Sequence, residues 1–266
     1  MGLAPLHTWL PDAHSEAPSL VSALLSGSLL NCAFLGILRI VNVATHAGQQ
    51  AFAQQQLVLF GLFSIGLAGV FILGQADYKR LLAYSSVEHM GILALGIGLG
   101  GAATYGALLH AINHSLTKAM LFLVAGNILT VYHTKATSEV SGVVRVLPIS
   151  GPLWLAGFFA ITGTPPFGPF LSEFTILRGA LEQGRFGIAA AYLALLVLVF
   201  VGMATVVLRM SQGAPRGANS PPKQRESWSS VLPAMSLGAM VLVLGVYIPA
   251  PLNRVLHLAA SALGGQ

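Results

Sequence analysis

The sequence predicts an all-α fold, a polytopic transmembrane helical bundle of about seven spans with one proline-broken helix. Three observations carry that prediction. Of 266 residues, 55% are hydrophobic and only 8% charged, against roughly 25% charged in an ordinary soluble domain. Mean hydropathy is +0.77, and thirteen basic with eight acidic side chains cannot cover a water-soluble body of this size. The apolar residues are also gathered into seven runs, each near the ~20 residues that cross a hydrocarbon core. This composition excludes a disordered chain. Cys32 is the only cysteine and lies inside an apolar run, which excludes a disulfide scaffold. A net charge of +5 reads as basic cytoplasmic loops. No basic patch interleaved with aromatics is present, so nucleic acid is not an expected partner; the lipid bilayer is.

The elements follow in order. Residues 1–18, MGLAPLHTWLPDAHSEAP, have neither the basic start nor the clean apolar core of a signal peptide. They read as a Pro-punctuated cytoplasmic loop in which Asp12, His14 and Glu16 are exposed. A transmembrane domain is expected over 19–210, a cytoplasmic linker rich in Ser, Pro and charge over 211–230, and a terminal span and tail over 231–266. The spans fall at 20–43, 57–74, 81–98, 104–132, 147–181, 187–208 and 231–248. None alternates with period two, and Leu, Ala and Gly dominate, so helices are expected. Trp9, Trp154 and Trp228 fall near segment ends, as interfacial anchors do.

Two spans are irregular. The third follows Asp77-Tyr78-Lys79-Arg80, read as a solvated loop with topogenic charge, and contains Glu88 and His89. These two stand either at the mouth of a channel or merely at the interface. The fifth is interrupted by Gly163-Thr164-Pro165-Pro166-Phe167-Gly168-Pro169. Consecutive prolines remove N–H donors and push the preceding residue out of the helical region, so a helix, a break and a half-helix from about Phe170 are expected. Broken backbone at membrane depth survives only where protein or water covers it, and such breaks point to ion or substrate routes.

Loop charge sets the orientation. Lys79, Arg80, Lys135, Arg145, Arg209, Arg216, Lys223 and Arg225 fall on the side of the N-terminus; Arg39, Arg178, Arg185 and Arg254 fall on the other. The positive-inside rule then places the N-terminal end in the cytoplasm and the C-terminal end outside.

Lys118 lies near the middle of the fourth span, where a lysine costs ~2.5–3.5 kcal/mol on insertion scales. His110 and His114 precede it by eight and four residues and share its helix face. Desolvation makes a lysine proton exchangeable, and histidine titrates near neutrality, so the face reads as a proton relay. Structural packing is one rival; a metal pair is another, since i,i+4 histidines suit zinc, although this helix offers no Asp, Glu or Cys to complete a tetrahedral set. Glu173, just past the break, either carries a proton or pairs a charged lysine, or else only favours the dipole of its half-helix. Asn31, midway along the first span, reads most simply as an interhelical hydrogen-bonding group. No nucleophile–histidine–acid pattern, P-loop, dinucleotide fingerprint, CxxC or haem motif is present, so no cofactor is expected on this chain.

Four stretches carry a family resemblance: LAPLHTWLPDAHSEAPSLVSALLSG (3–27), DYKRLLAYSSVEHMG (77–91), LLHAINHSLTKAMLFLVAGN (108–127) and ITGTPPFGPFLSEFTIL (161–177). Together they resemble the antiporter-like membrane subunits shared by respiratory complex I (NADH-quinone oxidoreductase), group 4 nickel-iron hydrogenases and multisubunit cation/proton antiporters. Within that family the chain is most similar to the hydrogenase-4 component F type. The resemblance implies two inverted five-helix repeats within fourteen helices, each with one broken helix, of which this chain holds the last helix of the first repeat, all of the second and a terminal helix. It implies that Lys118 is the central lysine of the second repeat's channel, with His110 and His114 as its preceding histidines. Glu173 is then the charged residue of the second broken helix, at the outward exit. Asn31 stands where many members carry a lysine, so Asn31, Glu88 and His89 are possible rather than principal relay members.

The implied function is proton translocation in a bacterial or archaeal inner membrane, driven by redox chemistry elsewhere in a complex. Lys118 would receive a proton through His110 and His114, and Glu173 would pass it outward. The implied partners are other membrane subunits and a soluble redox arm, which would carry Fe–S clusters and a nickel-iron centre or flavin. The alternatives are a sodium/proton antiporter subunit without redox chemistry, or a truncated structural fragment. The family pattern places a first broken helix just before residue 1, so Met1 reads as an internal methionine of a longer subunit.

Overall fold

The structure is a computed structural model, and it describes residues 1–213 and 223–264. Among those residues it is helical throughout, with only a single isolated β-bridge, between Asp77 and Ala136. The helices are α1 (Trp9–Glu16), α2 (Ser19–His46), α3 (Gln50–Ile72), α4 (Tyr78–Leu99), α5 (Ala102–Tyr132), α6 (Val143–Val146), α7 (Ser150–Ile161), α8 (Gly168–Glu182), α9 (Phe186–Ser211), α10 (Trp228–Val246) and α11 (Ala250–Ala262). Six of them, α2, α3, α4, α5, α9 and α10, are long and apolar enough to cross a membrane. The expected fifth span is α7 and α8, separated by residues 162–167. Arg216 and the centre of the expected linker lie outside the described residues.

The bundle is organised around α4, which is buried from Tyr78 to Leu99 except at Arg80. A helix apolar all round is a core helix, and α4 is enclosed by α1, α3, α5, α8 and α9. It starts at Asp77, whose carboxylate accepts from the backbone N–H of Lys79 (2.7 Å) and Arg80 (3.1 Å), satisfying donors that a helix start leaves free. It crosses α3 at close range: a Cβ on Gly91 would lie 2.7 Å from the Gly61 carbonyl, and one on Gly61 would lie 2.8 Å from the Gly91 carbonyl. Small residues permit such backbone approach in membrane bundles. In contrast, α2 leaves Leu20, Leu24, Leu35, Ile40 and Val43 exposed, an apolar surface for lipid or a neighbouring chain. Its helix is widened by a π turn at Leu25–Leu29, which the sequence did not announce.

Several expectations are corrected. Within residues 1–18, Trp9–Glu16 form a helix and His14 is buried, while Asp12 and Glu16 are exposed as expected. Pro11 sits within the first turn of α1, where a missing N–H costs nothing, and Leu10 and His14 are buried. The Ala4 N–H donates to Ser64 Oγ at 2.9 Å, and the His14 ring stacks on Phe122 at 4.9 Å between centroids. Lys79 is buried rather than solvated, its ammonium donating to the carbonyls of Ser15 (3.3 Å) and Ala17 (2.5 Å). That arrangement exists because the chain doubles back at Ala17-Pro18 and leaves carbonyls free. Trp154 is fully buried and meets Tyr78 edge-on at 6.0 Å, so it is a core residue. Trp9 and Trp228 are exposed, as anchors would be.

Candidate functional site: a buried polar chain through the centre

Lys118 sits sixteen residues after Ala102 and fourteen before Tyr132, at the middle of α5. It has no solvent exposure. Its ammonium donates to the Leu82 carbonyl at 2.7 Å and makes a short hydrogen bond to Ser85 Oγ, both on α4. The Glu88 carboxyl, about one turn beyond Ser85 on α4, lies within electrostatic reach. Buried charge is tolerated when it is hydrogen-bonded and balanced; α4 supplies two acceptors to the ammonium, and Glu88 on the same helix is the nearby opposite charge.

Glu88 and His89 fall at the midpoint of α4 and are buried. They are therefore neither at a channel mouth nor interfacial. The misplacement came from the sequence: the polar start of α4 made the span seem to begin later than it does. Glu88 Oε2 lies 3.6 Å from His89 Nε2. His89 Nδ1 lies 2.9 Å from His110 Nε2, and the His89 and His114 rings are 5.1 Å apart. His110 Nδ1 lies 2.9 Å from Ser172 Oγ on α8.

The protonation pattern follows from the acceptors. Ser172 Oγ donates to the Pro169 carbonyl at 2.9 Å, so towards His110 it accepts, and His110 carries its proton on Nδ1. His110 Nε2 is then an acceptor for the His89 Nδ1–H. The remaining nitrogen of His89 faces Glu88. One line of hydrogen bonds thus joins α4, α5 and α8.

Glu173 completes the line. One donor atom of each of His89, His110 and Glu173 lies within 4.8 Å of the others, and all three residues are buried. Glu173 also lies against the break, since a Cβ on Gly163 would collide with its carboxylate. Gly163 has φ +64°, a conformation glycine adopts without strain. The break itself turns by Thr164 N–H to the Phe159 carbonyl (3.0 Å) and Phe167 N–H to the Thr164 carbonyl (3.2 Å). The Pro165–Pro166 bond is cis, α8 begins with Gly168 and Pro169, and Asn113 Nδ2 donates to the Gly168 carbonyl at 2.8 Å. Among the described residues, Glu88 Oε2, His89 Nε2, both nitrogens of His114, Glu173 Oε1 and the Tyr192 hydroxyl are buried with no hydrogen-bond partner.

The order along the line differs from the sequence reading. The sequence reading set His110 and His114 before Lys118; in the structure they lie on the Glu173 side of it. The cause is that α5 runs antiparallel to both α4 and α8, which sets His110 against Ser172 and Glu173 and leaves Lys118 towards the start of α4. Asn31 is outside this line. Its Nδ2 donates to Ser115 Oγ (2.7 Å) and weakly to the Ala111 carbonyl (3.4 Å) on the other flank of α5. Sequence reasoning missed Ser85, Ser172 and Tyr192. Tyr192 of α9 is within electrostatic reach of Glu173 and Glu88, yet in sequence it is a lone tyrosine in an apolar run. His14, read as exposed, lies within electrostatic reach of His114.

Comparison with known proteins agrees with this architecture. Residues 1–207 match the model of a family described as NADH:quinone oxidoreductase/Mrp antiporter, transmembrane. A hydrogenase-4 component F homolog from Methylacidiphilum infernorum is 41% identical over 254 residues, covering 94% of this chain and 51% of the relative. A chain of the Mrp complex from Dietzia sp. superposes with a TM-score of 0.88 at 21% identity, over 99% of this chain and 56% of that one. A chain of respiratory complex I from Thermus thermophilus with bound NADH gives 0.82 at 26% identity, again over 99% and 56%. The chain spans about half the length of the relatives it matches. It belongs to the family of antiporter-like membrane subunits shared by NADH:quinone oxidoreductases and Mrp antiporters.

Proposed function

We propose that the chain is the proton-conducting second half of a membrane subunit in a redox-driven complex of the hydrogenase-4 or NADH-quinone oxidoreductase type. The observation that carries the proposal is the buried row of titratable side chains Lys118, Glu88, His114, His89, His110 and Glu173, hydrogen-bonded at its centre from His89 through His110 to Ser172. A proton taken up on the side of Asp77 and Lys135 reaches Lys118, passes to the imidazoles beyond it, and leaves through Glu173 beside the break. Changing the charge of one member changes the proton affinity of its neighbours, because Coulomb terms are large in a poorly solvated site. That is how redox chemistry in a partner subunit would drive the line. The partners are other membrane subunits and a soluble arm carrying Fe–S clusters with a nickel-iron centre or flavin; no cofactor is assigned to this chain. By the charge rule the N-terminal end is cytoplasmic and the C-terminal end outside.

The test is Lys118→Ala in the assembled complex in inverted vesicles. The complex assembles and transfers electrons, and proton translocation through this subunit is abolished. An unchanged proton-to-electron stoichiometry sinks the proposal. The family description also names Mrp antiporters, which favours a second reading as a cation/proton antiporter subunit with no redox partner. Translocation that requires a sodium gradient and no electron donor selects that reading. Normal translocation after deletion of the chain leaves only a structural role.

A further inference from the structure

The line contains a second chemistry that proton transfer does not need. His89, His110 and Glu173 come from three different helices, their donor atoms lie within 4.8 Å of one another, and all three residues are buried. A tetrahedral zinc ion holds nitrogen at about 2.0–2.1 Å and carboxylate oxygen at about 2.0–2.2 Å, so its donors stand roughly 3.3 Å apart. His89 Nδ1 and His110 Nε2 already approach to 2.9 Å; the metal takes the place of the proton between them, which His89 then carries on Nε2 towards Glu88, the pair opens by a few tenths of an ångström, and Glu173 closes in. Its free Oε1 gives it an atom to do so.

Three further features fit a metal. His110 is held through Nδ1 by Ser172 Oγ at 2.9 Å, which leaves Nε2 as the ligand and supplies the outer hydrogen bond that metal-bound histidines ordinarily make. Two neutral imidazoles and the Glu173 carboxylate leave one positive charge on a divalent ion, and the Glu88 carboxylate beside His89 (3.6 Å) is placed to balance it. The donor set also selects the ion. Nitrogen-rich sets suit zinc and its neighbours in the first transition row, whereas sodium, magnesium and calcium prefer all-oxygen sets. The break brings the site close to the surface: Pro165 and Pro166 are exposed, and Gly163 lies directly against the Glu173 carboxylate.

We infer that His89, His110 and Glu173 form a binding site for a divalent transition metal such as Zn2+, which on binding closes the line between Lys118 and the exit. The closure rests on the function proposed above; the binding does not. The test uses the full chain in lipid nanodiscs with Zn2+ and with Co2+ as a coloured probe. Wild type binds one ion with the visible absorption of tetrahedral Co2+, and the zinc absorption edge reports two imidazoles and one carboxylate. Glu173→Gln, which keeps the side chain's shape, and His89→Ala each weaken binding by about tenfold or more. Cys32→Ser and His257→Ala, both on the surface, leave it unchanged. A first shell containing sulfur or oxygen alone in the wild type overturns the inference whatever the variants do, as does an affinity indifferent to both line variants. In the assembled wild-type complex, Zn2+ stops translocation. If Zn2+ binds as stated while Lys118→Ala still pumps, the metal site stands and the proton reading fails. If Lys118→Ala stops pumping and no Zn2+ binds, the metal site alone fails.

Discussion

At the scale of single residues, the line depends on which atom of each ring is free. His110 is fixed by Ser172 Oγ at 2.9 Å, and Ser172 in turn by the Pro169 carbonyl at 2.9 Å. Removing the hydroxyl leaves His110 Nδ1 buried with no acceptor, and the ring loses its single orientation. A net hydrogen bond is worth about 0.5–1.5 kcal/mol, so Ser172→Ala should slow translocation by up to about tenfold while assembly is retained. Because Ser172 acts by orienting the ring, Ser172→Thr, which keeps the hydroxyl, should restore most of the rate. Equal loss in both variants would argue that position 172 matters only for packing. On the flank of α5, Asn31 bonds to Ser115 at 2.7 Å and adds no titratable group. It bridges α2 to α5, as the sequence suggested for an isolated amide inside a span.

At the scale of elements, the position of α4 decides the site, and the α3–α4 crossing decides the position of α4. The Gly61–Gly91 approach leaves no room for a side chain, with a Cβ at residue 91 falling 2.7 Å from one carbonyl and 2.9 Å from Ile65 Cγ1. Overpacking of this kind typically costs about 1–3 kcal/mol. Gly91→Val should therefore lower the thermal midpoint of the detergent-solubilised chain. Gly36→Ala on α2, where a new Cβ meets nothing within 4 Å, should leave it unchanged. A Gly91→Val protein as stable as wild type would show that the helices can slide apart, and the placement of Glu88 and His89 would lose its explanation. The break between α7 and α8 was legible beforehand, because two adjacent prolines flanked by glycines admit no continuous helix. The π turn in α2 was not, since no residue type forces it; Ser26 in that turn meets Ser86 at 2.9 Å, a contact only packing produces.

At the scale of the whole molecule, the alternation of spans places every connection at one of two ends, and the structure gathers them accordingly. Residues before α4 meet those after α5, with Thr137 N–H donating to the Ala76 carbonyl at 2.8 Å and Tyr78 N–H to the Lys135 carbonyl at 3.2 Å. Arg209 at the end of α9 reaches Thr137 Oγ1 at 3.2 Å. The same end holds the pairs Arg80–Asp12 and Lys135–Glu16, and Lys135 draws the Glu16 carboxyl below its usual range. At the opposite end, Gln183 meets Gly100, and Tyr105 meets Asn253 of α11 at 2.6 Å. Orientation in the membrane is tested with Cys32→Ser as background. A cysteine at Ser138 should react with an impermeant maleimide only from the cytoplasmic face, and one at Gln49 only from the outer face. The reverse pattern would invert the direction of the proposed proton path.

Composition alone determined that this chain belongs in a bilayer, because too few charges exist to face water. The spacing of apolar runs determined the spans, and the proline pair determined where one of them breaks; each is a local property that neighbours in sequence suffice to specify. The isolated Lys118 was conspicuous for the same reason, since its cost depends only on depth. Tertiary structure decided the rest. Which side chains Lys118, His110 and Glu173 meet depends on how three helices far apart in sequence are turned and shifted against one another. Glu88, His89, Ser172 and Tyr192 acquire their places from that packing, and so do the order of the line and the convergence of two imidazoles with a carboxylate. His14 and Lys79 looked solvated because a linear reading counts polar residues near a span as loop, whereas a chain that doubles back can bury them against its own free carbonyls.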